Sequence, residues 1–266
     1  MSETPPFDIS VAHPARIYDY WLGGKDNFAA DRAAGDKVIE LRPEIVHGVR
    51  ANRRFLGRAV RYLAAEAGVR QFLDIGTGLP SANNTHEVAQ AVAPDSRIVY
   101  VDNDPIVLAH ARALLTSTPN GKTAYISADL RDAGAILSEA SLTLDFAQPV
   151  ALLLLMTLQY IPDSDDPHAL VRTYLDALAP GSYLVFSDTI IENGDPVLTE
   201  SARRMNESMG GKTTQTRRPP EAIARFFDGL DIVDPGLVAL NRWRPGPQDP
   251  KLDRDIPCLA GIGRKP

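Results

Sequence analysis

A short apolar run that breaks into closely spaced glycines constrains this chain more than any other feature. Phe72-Leu73-Asp74-Ile75 leads directly into Gly76-Thr77-Gly78, the pattern of a β-strand ending in a sharp turn. Glycine suits such a turn because it reaches conformations closed to residues with a Cβ, and because a ligand can approach a bare backbone closely. The stretch marks either a nucleotide-like ligand site or a plain strand-to-helix corner, and alone it does not choose between them.

The residues around the glycines bear on which ligand. A dinucleotide fingerprint reads G-x-G-x-x-G and offers backbone N–H groups to an anionic pyrophosphate. Here the third glycine position is Ser81, Pro80 removes a donor, and Asp74 stands two residues before the first glycine. A carboxylate there repels a pyrophosphate and attracts a cation. S-adenosylmethionine carries a sulfonium and an ammonium and no phosphate, so Asp74 favours it over NAD.

The strand-then-acid pattern recurs. Asn84-x-x-Glu87 has the form of a capping box and starts a helix through Val92. The strand Arg97 to Val101 then ends in Asp102-Asn103-Asp104-Pro105. Asp102 lies 28 positions beyond Asp74, where a Rossmann-type fold puts the carboxylate that holds ribose hydroxyls. Asp104 before Pro105 reads as a helix cap. After a helix from Ile106 to Leu115, a strand over 123–128 ends in Asp129-Leu130, where an acid can accept from the adenine amine and the next N–H can meet a ring nitrogen. Pro149 to Met156 is continuously apolar, as in a central parallel strand covered on both faces. It opens into Thr157-Leu158-Gln159-Tyr160 on the ligand side of the sheet. A helix from His168 to Ala179, a strand from Tyr183 to Asp188, a helix from Pro196 to Met209, and a helix from Glu221 to Phe227 follow. The polar segment over 212–220 is either a mobile wall of a substrate site or a loop without a role. Two final strands fall over 231–240 and 256–262.

Ahead of the sheet, Pro14 to Phe28 packs Tyr18, Tyr20 and Trp21 before Gly23-Gly24-Lys25-Asp26-Asn27. It reads as a short helix, a glycine stop and a polar turn, which either folds over a bound cofactor or covers the core without touching a ligand. From Glu44 to Ala65, a helical projection puts Arg50, Arg54, Arg58 and Arg61 on one side and Phe55, Leu56, Ala59 and Leu63 on the other. The arginine stripe reads first as a solvated face and second as an anion site. Asn52 and Arg53, at its edge, are the residues placed to point inward. His47 reads as structural.

Net charge is −6, which disfavours a protein that grips nucleic acid through its phosphates. The single Cys258 cannot form an intrachain disulfide, and no thiol–imidazole cluster suggests a metal. The N-terminus has no signal-peptide pattern, the longest apolar run is too short for a bilayer, and the expected location is the cytoplasm.

With D-I-G-T-G, V-D-N-D-P and A-D-L at successive strand ends, the chain resembles the Rossmann-like S-adenosylmethionine-dependent methyltransferases. A-R-I-Y-D-Y-W-L-G-G-K-D-N-F, Q-F-L-D-I-G-T-G-L-P and Y-V-D-N-D-P together resemble a bacterial family described only as S-adenosyl methyltransferase. The resemblance implies a doubly wound α/β sheet of seven strands, the last antiparallel, with an N-terminal helical cover. Residues 1–12 are expected to be loose, 13–66 to form the cover, and 67–266 to form the cofactor-binding domain in one globular unit with it. Carried over, the resemblance puts Asp74, Gly76, Thr77 and Gly78 at the methionyl and ribose part of the cofactor. It puts Asp102 on the ribose, Asn103 beside the adenine, and Asp129 and Leu130 at the adenine edge. Met156 and Thr157 face the reacting methyl group, and Tyr18, Asn27 and Arg53 are drawn in as further contacts. Pro80 departs from the pattern by taking the place of a frequent third glycine. T-L-Q-Y at 157–160 is no N-P-P-Y-like tetrad, which argues against methylation of exocyclic DNA amines or glutamine amides.

The expected reaction is in-line displacement at the sulfonium methyl, where alignment and desolvation supply most of the catalysis. The acceptor reads as a small molecule. Tyr18, Tyr20, His47 and Tyr160 are the residues from which a general base could come, and the sequence selects none. Two other readings stand beside this one: an inert S-adenosylmethionine-binding regulatory protein, and a nicotinamide-dependent oxidoreductase, which Asp74 and Ser81 disfavour.

Overall fold

The computed structural model describes residues 8–114, 117–191, 195–210 and 214–266. The expected loose N-terminus therefore lies largely outside the described residues, as do Leu115 at the end of one expected helix and part of the polar segment after Met209.

Three helices come first: α1 (Pro14–Leu22), α2 (Ala29–Ile39) and α3 (Ile45–Ala65). Strands and helices then alternate as β1 (Gln71–Ile75), α4 (Thr85–Val92), β2 (Arg97–Asp102), α5 (Pro105–Leu114), β3 (Lys122–Ser127), α6 (Ala133–Ala140), β4 (Ala151–Leu155), α7 (Pro167–Asp176) and β5 (Tyr183–Thr189). The chain closes with α8 (Pro196–Ser208), α9 (Pro220–Ala224), β6 (Asp231–Ile232), β7 (Val238–Ala239) and β8 (Cys258–Arg264).

The sheet runs β3-β2-β1-β4-β5-β8-β6, with β7 also paired to β8. β1 to β5 are mutually parallel, and β8 is antiparallel to β5. This is the doubly wound α/β sheet the sequence implied. The single strand expected over 231–240 is two short strands, because Asp234-Pro235-Gly236 turns the chain between them and Pro235 has no N–H for a ladder.

Alternation along the strands sorts their side chains onto two faces. Leu73, Ile75, Leu152 and Leu154 pack with Ile136 of α6 and Tyr174 of α7. Phe72, Ala151 and Leu153 pack with Phe55 and Leu63 of α3 and Ala89 of α4. A separate cluster joins Ile17 and Trp21 of α1, Val38 of α2, Val49 of α3 and Met205 of α8. The chain order reverses between β1 and β4, which leaves a crevice at their carboxyl ends where open α/β sheets bind ligands.

The arginine stripe of α3 corrects the expectation of a merely solvated face. Arg54 and Arg58 reach Asp249 at 3.2 and 2.7 Å, and Arg58 also donates to the Trp243 carbonyl at 2.9 Å. These two arginines hold the 243–249 loop against the helix, while Arg50 is exposed.

Candidate active site

A cavity of about 990 Å³ opens at the carboxyl ends of β1, β2 and β4 and extends beneath α1 and α8. On the strand side, the backbone at the glycine turn is left-handed at Gly76 (φ 72°) and Gly78 (φ 67°). The two glycines are required for different reasons. A Cβ on Gly76 would lie 2.5 Å from Thr157 Cγ2, whereas one on Gly78 would meet no protein atom within 4 Å. The close neighbour at Gly76 is thus a side chain of β4's end, and the open approach exists at Gly78.

Asp102, at the end of β2, accepts the Gly78 N–H at 2.8 Å and the Asp104 N–H at 3.0 Å. Asp104 accepts from Ile106 N at 3.0 Å as the cap of α5, and its other oxygen lies 3.0 Å from His13 Nδ1. Asp74 is buried and accepts the Thr85 hydroxyl at 2.6 Å. Burial pushes its carboxyl up to about 6, against the pull of the Thr85 bond and the Arg53 charge, and Asp102 adds a raising contribution. Asp102 is raised too, again by burial first. Two buried carboxylates thus face one cavity without a cation strong enough to offset their desolvation, which is the condition a cationic ligand relieves.

Asp129 is clasped by its neighbour Arg131, with Nε to Oδ1 at 2.9 Å and Nη2 to Oδ2 at 2.7 Å. That pairing holds its carboxyl below the usual range, with burial working against it. Leu130 buries its side chain in the core and gives its carbonyl to the Tyr174 hydroxyl at 2.6 Å. Asn103, Asp129, Leu130, Met156 and Thr157 all line the cavity. Met156 stands at φ 57°, a conformation rare for a residue with a side chain. Its sulfur is flanked by the Thr189 hydroxyl and the Cys258 thiol at 3.8 and 3.9 Å.

Of the outlying residues, Tyr18 and Arg53 line the cavity and Asn27 does not. Asn27 spends its amide on Asp19 Oδ2 at 2.9 Å and on the Gly24 carbonyl at 3.0 Å, so it closes the polar turn instead of reaching into the site. Gly24 is required because a Cβ there would collide with the Asp19 carboxylate. Arg53 donates Nη2 to the Ala82 and Asn83 carbonyls at 3.1 and 3.2 Å, while its buried Nε has no hydrogen-bond partner among the described residues. It thereby fixes the 80–84 loop, which Asn83 enters at φ 62° and in which Ser81 N donates to Asn84 Oδ1 at 3.1 Å.

The four residues named as sources of a general base separate. Tyr18 donates to the Val49 carbonyl at 3.0 Å and accepts from Asn52 at 3.1 Å, and burial pushes it up to about 12. Asn52 is the inward polar residue expected on α3, and it also accepts the Ser187 hydroxyl at 2.7 Å. Burial raises Tyr160 as well. Tyr20 donates to Asp36 at 2.6 Å and stands outside the lining. His47 is exposed and lines the cavity. Residues that the sequence reading missed complete the walls: Arg42, Glu44, Asp195 and the 252–258 segment. Arg217 joins them from within the polar segment left undecided.

A family model described as S-adenosyl methyltransferase matches residues 1–266. The crystal structure of a DUF574 family protein from Streptomyces avermitilis is 44% identical, with 97% of this chain and 99% of that one covered and a TM-score of 0.93. A candidate methyltransferase from Thermobifida fusca is also 44% identical, covering 100% of this chain and 99% of its own, with a TM-score of 0.89. Human N-acetylserotonin methyltransferase, solved with S-adenosylmethionine, shares the fold at 14% identity, covering 93% of this chain and 62% of that one, with a TM-score of 0.50. No curated protein matches the sequence.

Proposed function

The chain belongs to the S-adenosyl methyltransferase family, with S-adenosylmethionine as its cofactor, and from that premise we propose that it methylates a small molecule enclosed beneath the helical cover. One observation carries this reading: the cavity that takes in Asp74 and Asp102 continues past Met156 and Thr157 into a chamber walled by α1, α3, α8 and residues 252–258. Its volume of about 990 Å³ has room for a cofactor and a compact acceptor together.

The residues at the strand ends fit the cofactor. The open space at the Gly78 Cβ position, the unpartnered Arg53 Nε and the two buried carboxylates each leave something for a ligand to satisfy. In this assignment Asp74, Gly76, Thr77 and Gly78 hold the methionyl part, Asp102 the ribose, and Asn103, Asp129 and Leu130 the adenine. Arg53 and Tyr18 bound the site from the helical side. S-adenosylmethionine supplies a methyl group already activated on sulfur, so the protein contributes no nucleophile. Thr157 and Met156 shape the passage between the two halves of the cavity, and α1 with α8 excludes water from it. Both tyrosines of the lining hold their protons too tightly to act as bases, which leaves His47, among the four residues the sequence offered, as the one placed to take a proton where the acceptor has one to lose. The buried thiol of Cys258 suits a reducing cytoplasm.

Methyl-labelled cofactor incubated with a metabolite extract, and separately with nucleic acid and with protein, tests the reading. Label is expected in the metabolite fraction; label confined to nucleic acid or protein would overturn it.

A further inference from the structure

Beyond Met156 the lining of the cavity includes Arg42, Arg217 and the exposed Arg254, to which the cofactor assignment gives no work. Arg42, in the turn between α2 and α3, is 3% exposed and lines the cavity. Among the described residues its Nε and Nη1 have no hydrogen-bond partner, and its ion pair with Glu44 is loose, at 3.5 Å from Nε. Leaving a buried guanidinium so poorly satisfied is costly. Arg217 lines the same chamber and, among the described residues, hydrogen-bonds only neutral groups: the Leu198 carbonyl at 2.7 Å, the Ser201 hydroxyl at 3.1 Å and the Gln215 amide oxygen at 3.1 Å. Burial first, and then the charge of Arg42, bring its guanidinium down to about 10. The buried Arg42 and the half-buried Arg217, both lining one chamber, offer an anion site.

The chamber is distinct from the glycine turn. Gln159 donates to the Met156 carbonyl at 3.0 Å and accepts from Gln215 at 2.8 Å, and Gln215 bonds Arg217. Arg217 therefore stands on the α8 side of Met156, while the turn has its own arginine in Arg53. Around them the walls include the buried apolar side chains of Trp21, Val49, Leu198 and Met205.

We propose that the methyl acceptor is an apolar carboxylic acid whose carboxylate is held between Arg42 and Arg217. The inference rests on the small-molecule reading above. It favours a carboxylate over a phosphate because Glu44 and Asp195 also line this wall and repel a dianion more strongly than a monoanion. Asp195 is partly committed elsewhere, as the cap that accepts the Val197 and Leu198 N–H groups.

The test is a thermal-shift titration of the full chain saturated with S-adenosylhomocysteine, using benzoate and octanoate, their neutral amides, and phenyl phosphate. The acids are expected to raise the melting temperature further, the amides and phenyl phosphate to do so far less. Arg42→Gln and Arg217→Gln should each weaken apparent benzoate affinity about tenfold or more. Both should keep the S-adenosylhomocysteine shift, which certifies that they fold, and Arg42→Lys should recover part of the response. Equal shifts from amides, a larger shift from phenyl phosphate, an unchanged response in both Gln variants, or no shift from either acid would overturn the proposal. So would competition between benzoate and S-adenosylhomocysteine, which would assign the arginines to the cofactor. A wild-type protein that does not respond to S-adenosylhomocysteine would overturn the cofactor assignment itself.

Discussion

The Asp102 carboxylate accepts the Gly78 backbone N–H at 2.8 Å, so the end of β2 holds the turn that ends β1. Its other oxygen takes the Asp104 N–H at 3.0 Å. The acid assigned to the ribose is therefore also part of the frame. Asp102→Ala should weaken S-adenosylhomocysteine binding about 10- to 100-fold and, by orphaning two N–H groups, also cost about 1–3 kcal/mol of stability. Asp102→Asn keeps one acceptor oxygen and should fall between. Calorimetric affinity and denaturant melts on the same samples separate the two effects; an affinity unchanged in Asp102→Ala would remove the residue from the site.

The two glycines of the turn should respond oppositely. Gly76→Ala meets Thr157 at 2.5 Å and must also hold a left-handed backbone, so it should destabilise the apo-protein by about 2–4 kcal/mol. Gly78→Ala has space and should lose only about 1–2 kcal/mol from its backbone, yet its Cβ enters the cavity and should impair cofactor binding. Equal stability losses in the two variants would contradict the separation.

Arg58 and Arg50 belong to one stripe in sequence and to different environments in the fold. Arg58→Ala breaks the bonds to Asp249 and the Trp243 carbonyl and should cost about 1–3 kcal/mol. Arg50→Ala should stay within about 0.5 kcal/mol of the parent, as exposed substitutions do. Hydrogen exchange over 243–249 should quicken in the first variant alone.

Such differences mark where the sequence was legible. Asp74, Asp102 and Asp129 could be placed at one edge of the sheet because each stands within two residues of the end of a strand. Helices α2 and α6 escaped notice: A-A-D-R-A-A-G-D-K-V-I and A-G-A-I-L-S-E-A consist largely of small residues and show little contrast between faces. Asn27 gave no local sign of which way it points, because a polar turn beside glycines looks the same whether it closes on Asp19 or on a ligand. Arg42 and Arg217 had no local signal, since residues 175 positions apart come to line one cavity only after α2 and α8 pack.

The buried Asp74 makes cofactor binding depend on pH. Its folded-state value of about 6 lies above the ordinary aspartate range, so the acid favours the apo-fold while protonated. That contribution is complete below the unfolded value and is lost as pH rises through about 6. Binding a cation has the opposite preference, because only the carboxylate attracts it. S-adenosylmethionine affinity should therefore rise from pH 5 to pH 7 and level off above about 7, while the melting temperature of the apo-protein loses part of its value over the same interval. Asp74→Asn should flatten the affinity profile at a lower level and remove this part of the apo-protein's pH dependence. S-adenosylhomocysteine lacks the sulfonium charge, so its affinity should change less with pH than that of S-adenosylmethionine. Titration calorimetry of both ligands at three pH values measures this directly, and parallel profiles for the two would show that Asp74 does not sense the sulfonium.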